Sequence, residues 1–346
     1  KLVTGRIPGA LAHTNAVANM LFGAISGSGT AAASAMGSII GPIEAEEGYA
    51  AEFSAAANIA TAPTGLLIPP SNVMITFSLV SGGTSVAALF MAGYIPGILW
   101  GLACMIVIYI FAKKKGYKST SSFKGKEKLM VIWQALPSLL MIVIVIGGII
   151  GGIFTATEGS VVAVVYTLIL SLFFYKTIKF KDLPEIFLAS AEMTGIIVFL
   201  IGVSSIMSWV MAFTDIPTLV SNALLGISNN KYVIFFIINI ILLIVGTFMD
   251  MTPATLIFTP IFLPICQQLG MNVIHFGIMM IFNLCIGTIT PPVGTTLFVG
   301  VKVGGTTIEK VIKPLLWYFA AIFAVLMLVT YVPQISLWLP GVMGYV

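Results

Sequence analysis

Charge is what this chain has least of. Only 8% of its 346 residues are Asp, Glu, Lys or Arg, Arg6 is the single arginine, and there are two histidines. With 59% hydrophobic residues and a mean hydropathy of +1.10, this excludes a soluble globular domain, in which about a quarter of residues are charged. His13 and His275 lie too far apart for zinc-like spacing or for a serine–histidine–acid set, and both are expected to be packed side chains. Cys104, Cys266 and Cys285 sit in apolar surroundings without CxxC spacing, and read as small packing groups. Gly27-Ser28-Gly29 lacks the strand and the Lys-Ser/Thr that a phosphate loop requires. No enzyme machinery can be assembled, so the chain is not expected to be an enzyme. Its formal charge of +4 comes from lysines gathered in two loops, which gives no case for a nucleic-acid partner.

What is present in abundance is apolar run after apolar run, with Gly and Pro inside them. That pattern indicates an all-α polytopic membrane protein in a lipid bilayer, since barrel strands would alternate in short segments. Two of the runs are interrupted. Ser26-Gly27-Ser28-Gly29-Thr30 breaks the first, and Gly65 to Asn72, with Pro69-Pro70 at its centre, breaks the next. Backbone that leaves helical geometry in hydrocarbon strands N–H and C=O groups at several kcal/mol each, and survives only where protein, water or a ligand satisfies them. The two breaks are therefore expected to face a polar solute.

The chain repeats itself at a separation of 222 residues. In that register Thr30 meets Thr252, Pro42-Ile43 meets Pro264-Ile265, Gly65 meets Gly287, Pro69-Pro70 meets Pro291-Pro292, and Gly82-Gly83-Thr84 meets Gly304-Gly305-Thr306, with no gap. Many more residues precede the second copy's hairpin than the first's. About 80–90 residues are expected ahead of Lys1, enough for two or three helices at about 20–25 residues per span. Lysine counting places the loop from Lys113 through Lys118, Lys124, Lys126 and Lys128, and the later loop of Lys176, Lys179 and Lys181, in the cytoplasm. Three crossings (about 136–152, 158–175 and 191–213) then separate the copies, so the second repeat is inverted relative to the first.

Within each repeat the pattern predicts a re-entrant hairpin followed by a broken helix. The first hairpin has arms at 16–25 and 30–40 and ends at Pro42. Glu44, Glu46 and Glu47 are expected in an interface or exposed loop, and half-helices at 48–61 and 73–80 flank the first break. A full span covers 86–111, and amphipathic interface helices are expected at 123–137 and 180–188. Residues 216–225 read equally as an interface helix or a loop. In the second copy a span at 233–245 precedes a hairpin at 246–264 with its tip near Asp250–Pro253. Half-helices at 271–286 and 295–301 then flank the second break, and a last span covers 315–332.

Helices that stop in mid-membrane offer uncommitted carbonyls beside Ser and Thr hydroxyls, the oxygen-rich surroundings a hard cation such as Na⁺ prefers. Pairing each tip with the break of its own repeat predicts two Na⁺ sites. Ser28, Gly29, Thr30 and Gly65 form the first; Asp250, Thr252, Gly287 and Thr290 form the second. The substrate residues follow from an absence. With one arginine, and with Lys302 the only lysine near a break, an organic anion would be held by hydroxyls, amides and helix N-termini. Ser26, Ser71 and Asn72 suit this best, because Phe248, Val293 and Gly294 replace them in the second repeat and an asymmetric substrate has no twofold axis. Asp250 is the one carboxylate at full membrane depth, which calls for a cation partner; its alternative is a cap on the hairpin's second arm.

The tip at Ser26–Ala32, the break at Gly65–Asn72, the hairpin at Gly246–Pro264 and the run Gly287-Thr-Ile-Thr-Pro-Pro-Val-Gly-Thr295 together resemble the large membrane (M) subunit of TRAP (tripartite ATP-independent periplasmic) transporters. The resemblance covers essentially the whole chain. It implies an inverted-repeat elevator-type importer of the bacterial inner membrane, driven by Na⁺. The transport domain would be formed by residues 1–84 and 233–306, and the scaffold by 85–232 and the span in 307–346. It implies as partners a small four-helix (Q) subunit and a periplasmic substrate-binding (P) protein that delivers an organic acid, sialic acid first and a C4-dicarboxylate next. The missing opening stretch departs from the family's usual length. A stand-alone divalent-anion/Na⁺ symporter and the membrane subunit of a sodium-pumping decarboxylase are the alternatives.

Overall fold

The computed structural model describes residues 7–117, 125–228 and 230–345, and among these every regular element is helical. They form two compact units, one from the described parts of 1–122 and 211–346, the other from those of 123–210.

In the first unit, α1 (Ala10–Ser26) and α2 (Gly29–Glu46) are joined by a turn of two residues. Gly27 adopts φ 61°, a left-handed conformation that costs a residue with a Cβ but not glycine. Ser28 then caps α2, its Oγ accepting the Ala31 N–H at 3.3 Å. The next helix is broken: α3 (Ala51–Thr61), the single turn α4 (Thr64–Leu67), and α5 (Asn72–Val80), with a bend of 47° between Ala51–Leu67 and Asn72–Val80. Pro69 and Pro70 remove the N–H groups that would continue the ladder. The long α6 (Val86–Lys115) follows, with Pro96 inside it.

The second copy replays this. After α10 (Ile216–Ile227) come α11 (Lys231–Phe248), α12 (Met251–Gln268), α13 (Val273–Gly287), α14 (Thr295–Val303), α15 (Ile308–Tyr331) and a terminal α16 (Gln334–Val342). The helices α2 and α12 begin and end at residues 222 apart, and α3 with α13 and α6 with α15 begin at that separation. The Pro69–Pro70 and Pro291–Pro292 bonds are both cis.

The second unit holds α7 (Gly125–Ile150), α8 (Ala156–Ile169) with a π-helical turn at Leu170–Phe174, and α9 (Leu183–Phe213) as far as Val210. The Thr155–Glu158 capping box starts α8. Five helical stretches among the described residues are long and apolar enough to cross a membrane: Val86–Lys115, Thr157–Phe174, Phe180–Met211, Lys231–Phe248 and Ile308–Tyr331. This is a multi-pass membrane protein.

Several expectations need correction. The span expected at 233–245 lies in α11, but that helix runs unbroken to Phe248, so the second hairpin does not begin anew at Gly246; its first arm is the same helix and the turn falls at Met249–Asp250. Pro42 does not end α2, and its repeat partner Pro264 likewise lies inside α12; each proline removes a single backbone bond and the helix continues past it. Glu44 is fully buried rather than exposed, whereas Glu46 is exposed and Glu47 half-buried. The interface helix expected at 180–188 continues into α9, and the described part of the one expected at 123–137 continues into α7. Residues 216–227 are a helix, not a loop. Arg6, Lys118, Phe123 and Lys124 lie outside the described residues.

Candidate functional site

Each hairpin meets the break of its own repeat at a crossing where two glycines leave no room for a side chain. A Cβ built on Gly65 would lie 2.1 Å from the Gly23 Cα, and one built on Gly287 would lie 2.4 Å from the Gly246 carbonyl carbon. Backbones approach this closely only through glycine. Gly65 and Gly287 are repeat partners; Gly23 and Gly246 are one position out of register. The repeats also cross-pack. The arm α2 lies along α14 and α12 lies along α5, so each hairpin's second arm reaches the half-helix of the opposite copy.

Around the first tip the expected residues do come together. Ser28 Oγ and Thr30 Oγ1 are 3.0 Å apart, and Ser26 Oγ lies 3.4 Å from the Ser28 N–H that donates to it. Gly29 is buried where a Cβ would stand 3.5 Å from Pro63 Cα in the break and 3.2 Å from Thr296 Oγ1. Asn72 reaches the same tip, its Nδ2 being 3.3 Å from where a Cβ on Gly27 would lie. The carbonyls of Gly65 and Leu66 would, in an unbroken helix, accept from residues 69 and 70. Both are prolines, so neither carbonyl has a helical donor. Ser71 is 1% exposed and its hydroxyl has no partner, an unpaired buried group that a ligand could complete.

The second break is built differently. The Gly287 carbonyl accepts the Thr290 N–H at 3.0 Å, and the Thr288 carbonyl accepts the Thr296 N–H at 2.9 Å, so backbone oxygens open in the first break are engaged here. Thr290 Oγ donates to the Ile286 carbonyl at 2.7 Å, leaving its lone pairs free. Thr252 is half-buried in the first turn of α12. Asp250 occupies the N-cap position of α12, yet its side chain makes no capping hydrogen bond and is exposed. The alternative of a structural cap therefore fails. Lys302 is exposed in the last turn of α14, a full half-helix away from the break.

Sequence reasoning missed Gly23, Gly246 and Thr296. Each acts through a contact between segments distant in sequence, which local pattern does not show. It also missed an asparagine network: Asn19 Nδ2 lies within 3.1 Å of Asn15 Oδ1, Asn58 Oδ1 and Thr61 Oγ1, and Asn58 Nδ2 donates to the Ala33 carbonyl at 2.8 Å. This ties α1, α2 and α3 together directly behind the first break. His275 donates through Nε2 to the Val329 carbonyl, 2.7 Å away, and both histidines and all three cysteines are buried, as packing residues should be.

Comparison with known proteins gives one family. The model described as tripartite ATP-independent periplasmic transporter, DctM component, matches residues 1–335. The uncharacterized protein YgiK of Salmonella typhimurium is 54% identical over 338 residues, covering 98% of this chain and 78% of that protein. The isethionate TRAP transporter permease protein DctMQ of Oleidesulfovibrio alaskensis is 39% identical, over 97% of this chain and 53% of that protein. The C4-dicarboxylate TRAP transporter large permease protein DctM of Pseudomonas aeruginosa is 38% identical, over 98% of this chain and 79% of that protein.

Proposed function

Because the chain belongs to the DctM family, the large membrane permeases of tripartite ATP-independent periplasmic transporters, we propose that it is the Na⁺-driven permease for a small organic acid handed over by a periplasmic binding protein. Relatives named for a function are permeases and not enzymes, which removes the decarboxylase alternative, and family membership removes the stand-alone symporter.

The observation that carries the reading is the doubled crossing of Gly23 on Gly65 and Gly246 on Gly287. It brings a hairpin tip against a helix break twice, once in each copy, which supports one Na⁺ site per repeat. Ser28, Gly29, Thr30 and the Gly65 carbonyl serve one. Asp250, Thr252, Gly287 and Thr290 serve the other. The organic acid is held by Ser71, Ser26 and Asn72, helped by the positive N-terminal ends of α2 and α5. Na⁺ bound behind the breaks stabilises the geometry that accepts the anion, and so couples the two affinities.

Transport is of the elevator type, with re-entrant hairpins in a mobile domain of residues 1–84 and 233–306 that moves against a scaffold of 85–232 and 307–346. A small Q subunit and a P protein complete the system in the bacterial inner membrane. The relative named DctMQ fits a permease that carries both membrane components, since this chain spans only 53% of it. Sialic acid, C4-dicarboxylates and isethionate are the candidate substrates. Uptake into proteoliposomes containing the complete permease tests the reading. Uptake that needs both an inward Na⁺ gradient and the binding protein supports it, and uptake without either one contradicts it.

A further inference from the structure

Away from the breaks, at the base of the first hairpin, lies a cavity of about 200 Å³. Its walls come from both repeats: Asn15 of α1, Glu44 at the end of α2, Tyr49, Ser54 and Asn58 of the following segment, and Val303 closing α14. Glu44 is 0% exposed, and no hydrogen bond of ordinary geometry reaches either carboxylate oxygen. Asn15 Nδ2 and the Tyr49 hydroxyl on the same wall also lack partners. A cavity of this size is roomy enough for several waters at about 30 Å³ each.

An ionised carboxylate cannot stay there alone, because burying an unpaired charge costs several kcal/mol. The lining holds no Lys, Arg or His. The other titratable groups that bear on Glu44 are Glu47 on its own turn, Tyr49 after it, and Tyr318 from α15, none of them cationic. Two helices, α2 and α14, end at this cavity, and their C-terminal carbonyls add partial negative charge. Burial and the neighbouring Glu47 favour the neutral acid, while the Ser54 hydroxyl and the first turn of α3, which begins at the cavity wall, favour the anion. Burial pushes Glu44 from its ordinary 4.5 up to about 7, with Ser54 pulling the other way and Glu47 adding to the rise.

We propose that Glu44 and its cavity form a proton-binding site that links the first hairpin to cytoplasmic pH, separate from the Na⁺ and substrate residues at the breaks. The side is set by Tyr49, whose ring stacks on Tyr117 at 4.3 Å, just beyond the basic end of α6 that lysine counting assigns to the cytoplasm. The route to the breaks is the asparagine network, since Asn15 and Asn58 line the cavity and also join Asn19 and Thr61. Proton uptake neutralises Glu44 and lets the base of the hairpin stay closed. Proton release leaves a buried anion with no cationic partner, which water entering the cavity solvates, and this favours an opened base.

The coupling to transport rests on the reading above, and the test separates the two. Infrared spectroscopy on the complete purified transporter follows the carbonyl stretch of protonated carboxyls over about pH 5 to 9. The account expects a band that titrates with a midpoint near 7, is absent from Glu44→Gln, and moves to higher pH in Ser54→Ala. A spectrum unchanged by Glu44→Gln overturns it. If that variant fails to fold, an unmoved midpoint in Ser54→Ala overturns it equally. Uptake at saturating Na⁺ and varied lumenal pH should change across the same window in the wild type and be flat in Glu44→Gln. Identical profiles, or a change in Na⁺ requirement in place of the pH profile, overturn the coupling. Wild-type proteoliposomes with no uptake at all would count against the transport reading alone, while the infrared titration still decides Glu44.

Discussion

Replacing Gly65 by alanine tests the crossing on which both proposed ion sites depend. The new methyl would start 2.1 Å from the Gly23 Cα and from its carbonyl carbon, whereas ordinary contact begins at 3.4 Å, so the two backbones must part by about 1.3 Å. A flexible side chain could turn aside; a backbone cannot. Overpacking a tight core typically costs about 1–3 kcal/mol, and a backbone partner puts this case near 3 kcal/mol. The better helix propensity of alanine returns only about 0.5–1 kcal/mol. Thermal unfolding of the detergent-solubilised permease should therefore show a clear loss of stability. In proteoliposomes the Na⁺ concentration for half-maximal uptake should rise about tenfold, equivalent to about 1.4 kcal/mol of lost coordination. Gly202→Ala in α9 is the control, because nothing lies within 4 Å of its new methyl. If Gly65→Ala matches the wild type in both stability and Na⁺ requirement, the packed crossing and the ion site built on it are both wrong.

Other substitutions separate the roles of neighbouring groups. Ser71→Ala removes a hydroxyl with no partner in the protein. It should leave thermal stability unchanged while weakening substrate affinity by about tenfold, the worth of one hydrogen bond of about 1–1.5 kcal/mol; equal losses in both would point to a structural hydroxyl. Ser28→Ala loses the cap on Ala31 and the contact with Thr30. It should cost about 1 kcal/mol in unfolding measurements and raise the Na⁺ requirement. For Glu44 the folded value lies above the ordinary one, so the neutral acid's contribution is complete below about pH 4.5 and is lost as pH rises through about 7. At about 1.4 kcal/mol per pH unit this amounts to about 3 kcal/mol, and melting temperatures should fall between pH 5 and 8 in the wild type but not in Glu44→Gln.

The repeat was the most legible feature of the sequence, because a Pro-Pro pair and a Gly-Gly-Thr triplet held one register that the helix boundaries then kept. Tips and breaks were legible for the same reason: proline removes donors and glycine permits left-handed turns whatever surrounds them. Helix extents were less so. Pro42 and Pro264 look like stops in one dimension, yet α2, packed on α1 and α14, and α12, packed on α5 and α13, run past them. Glu44 was misread because three acids in four positions look like one solvated patch, although helical geometry turns the first inward and the next outward. Gly23, Gly246 and Thr296 could not be found at all from local pattern. Their roles exist only where distant segments cross.

The most direct measurement of the central claim is the Na⁺ dependence of uptake by the complete permease with its binding protein, for the wild type, Ser28→Ala and Asp250→Ala. Two sites, one at each break, predict a steep, sigmoidal activation in the wild type. Each variant should have a raised Na⁺ requirement and a shallower curve, the loss of one site apiece. Unchanged Na⁺ dependence in both variants would contradict the assignment of the paired breaks as sodium sites.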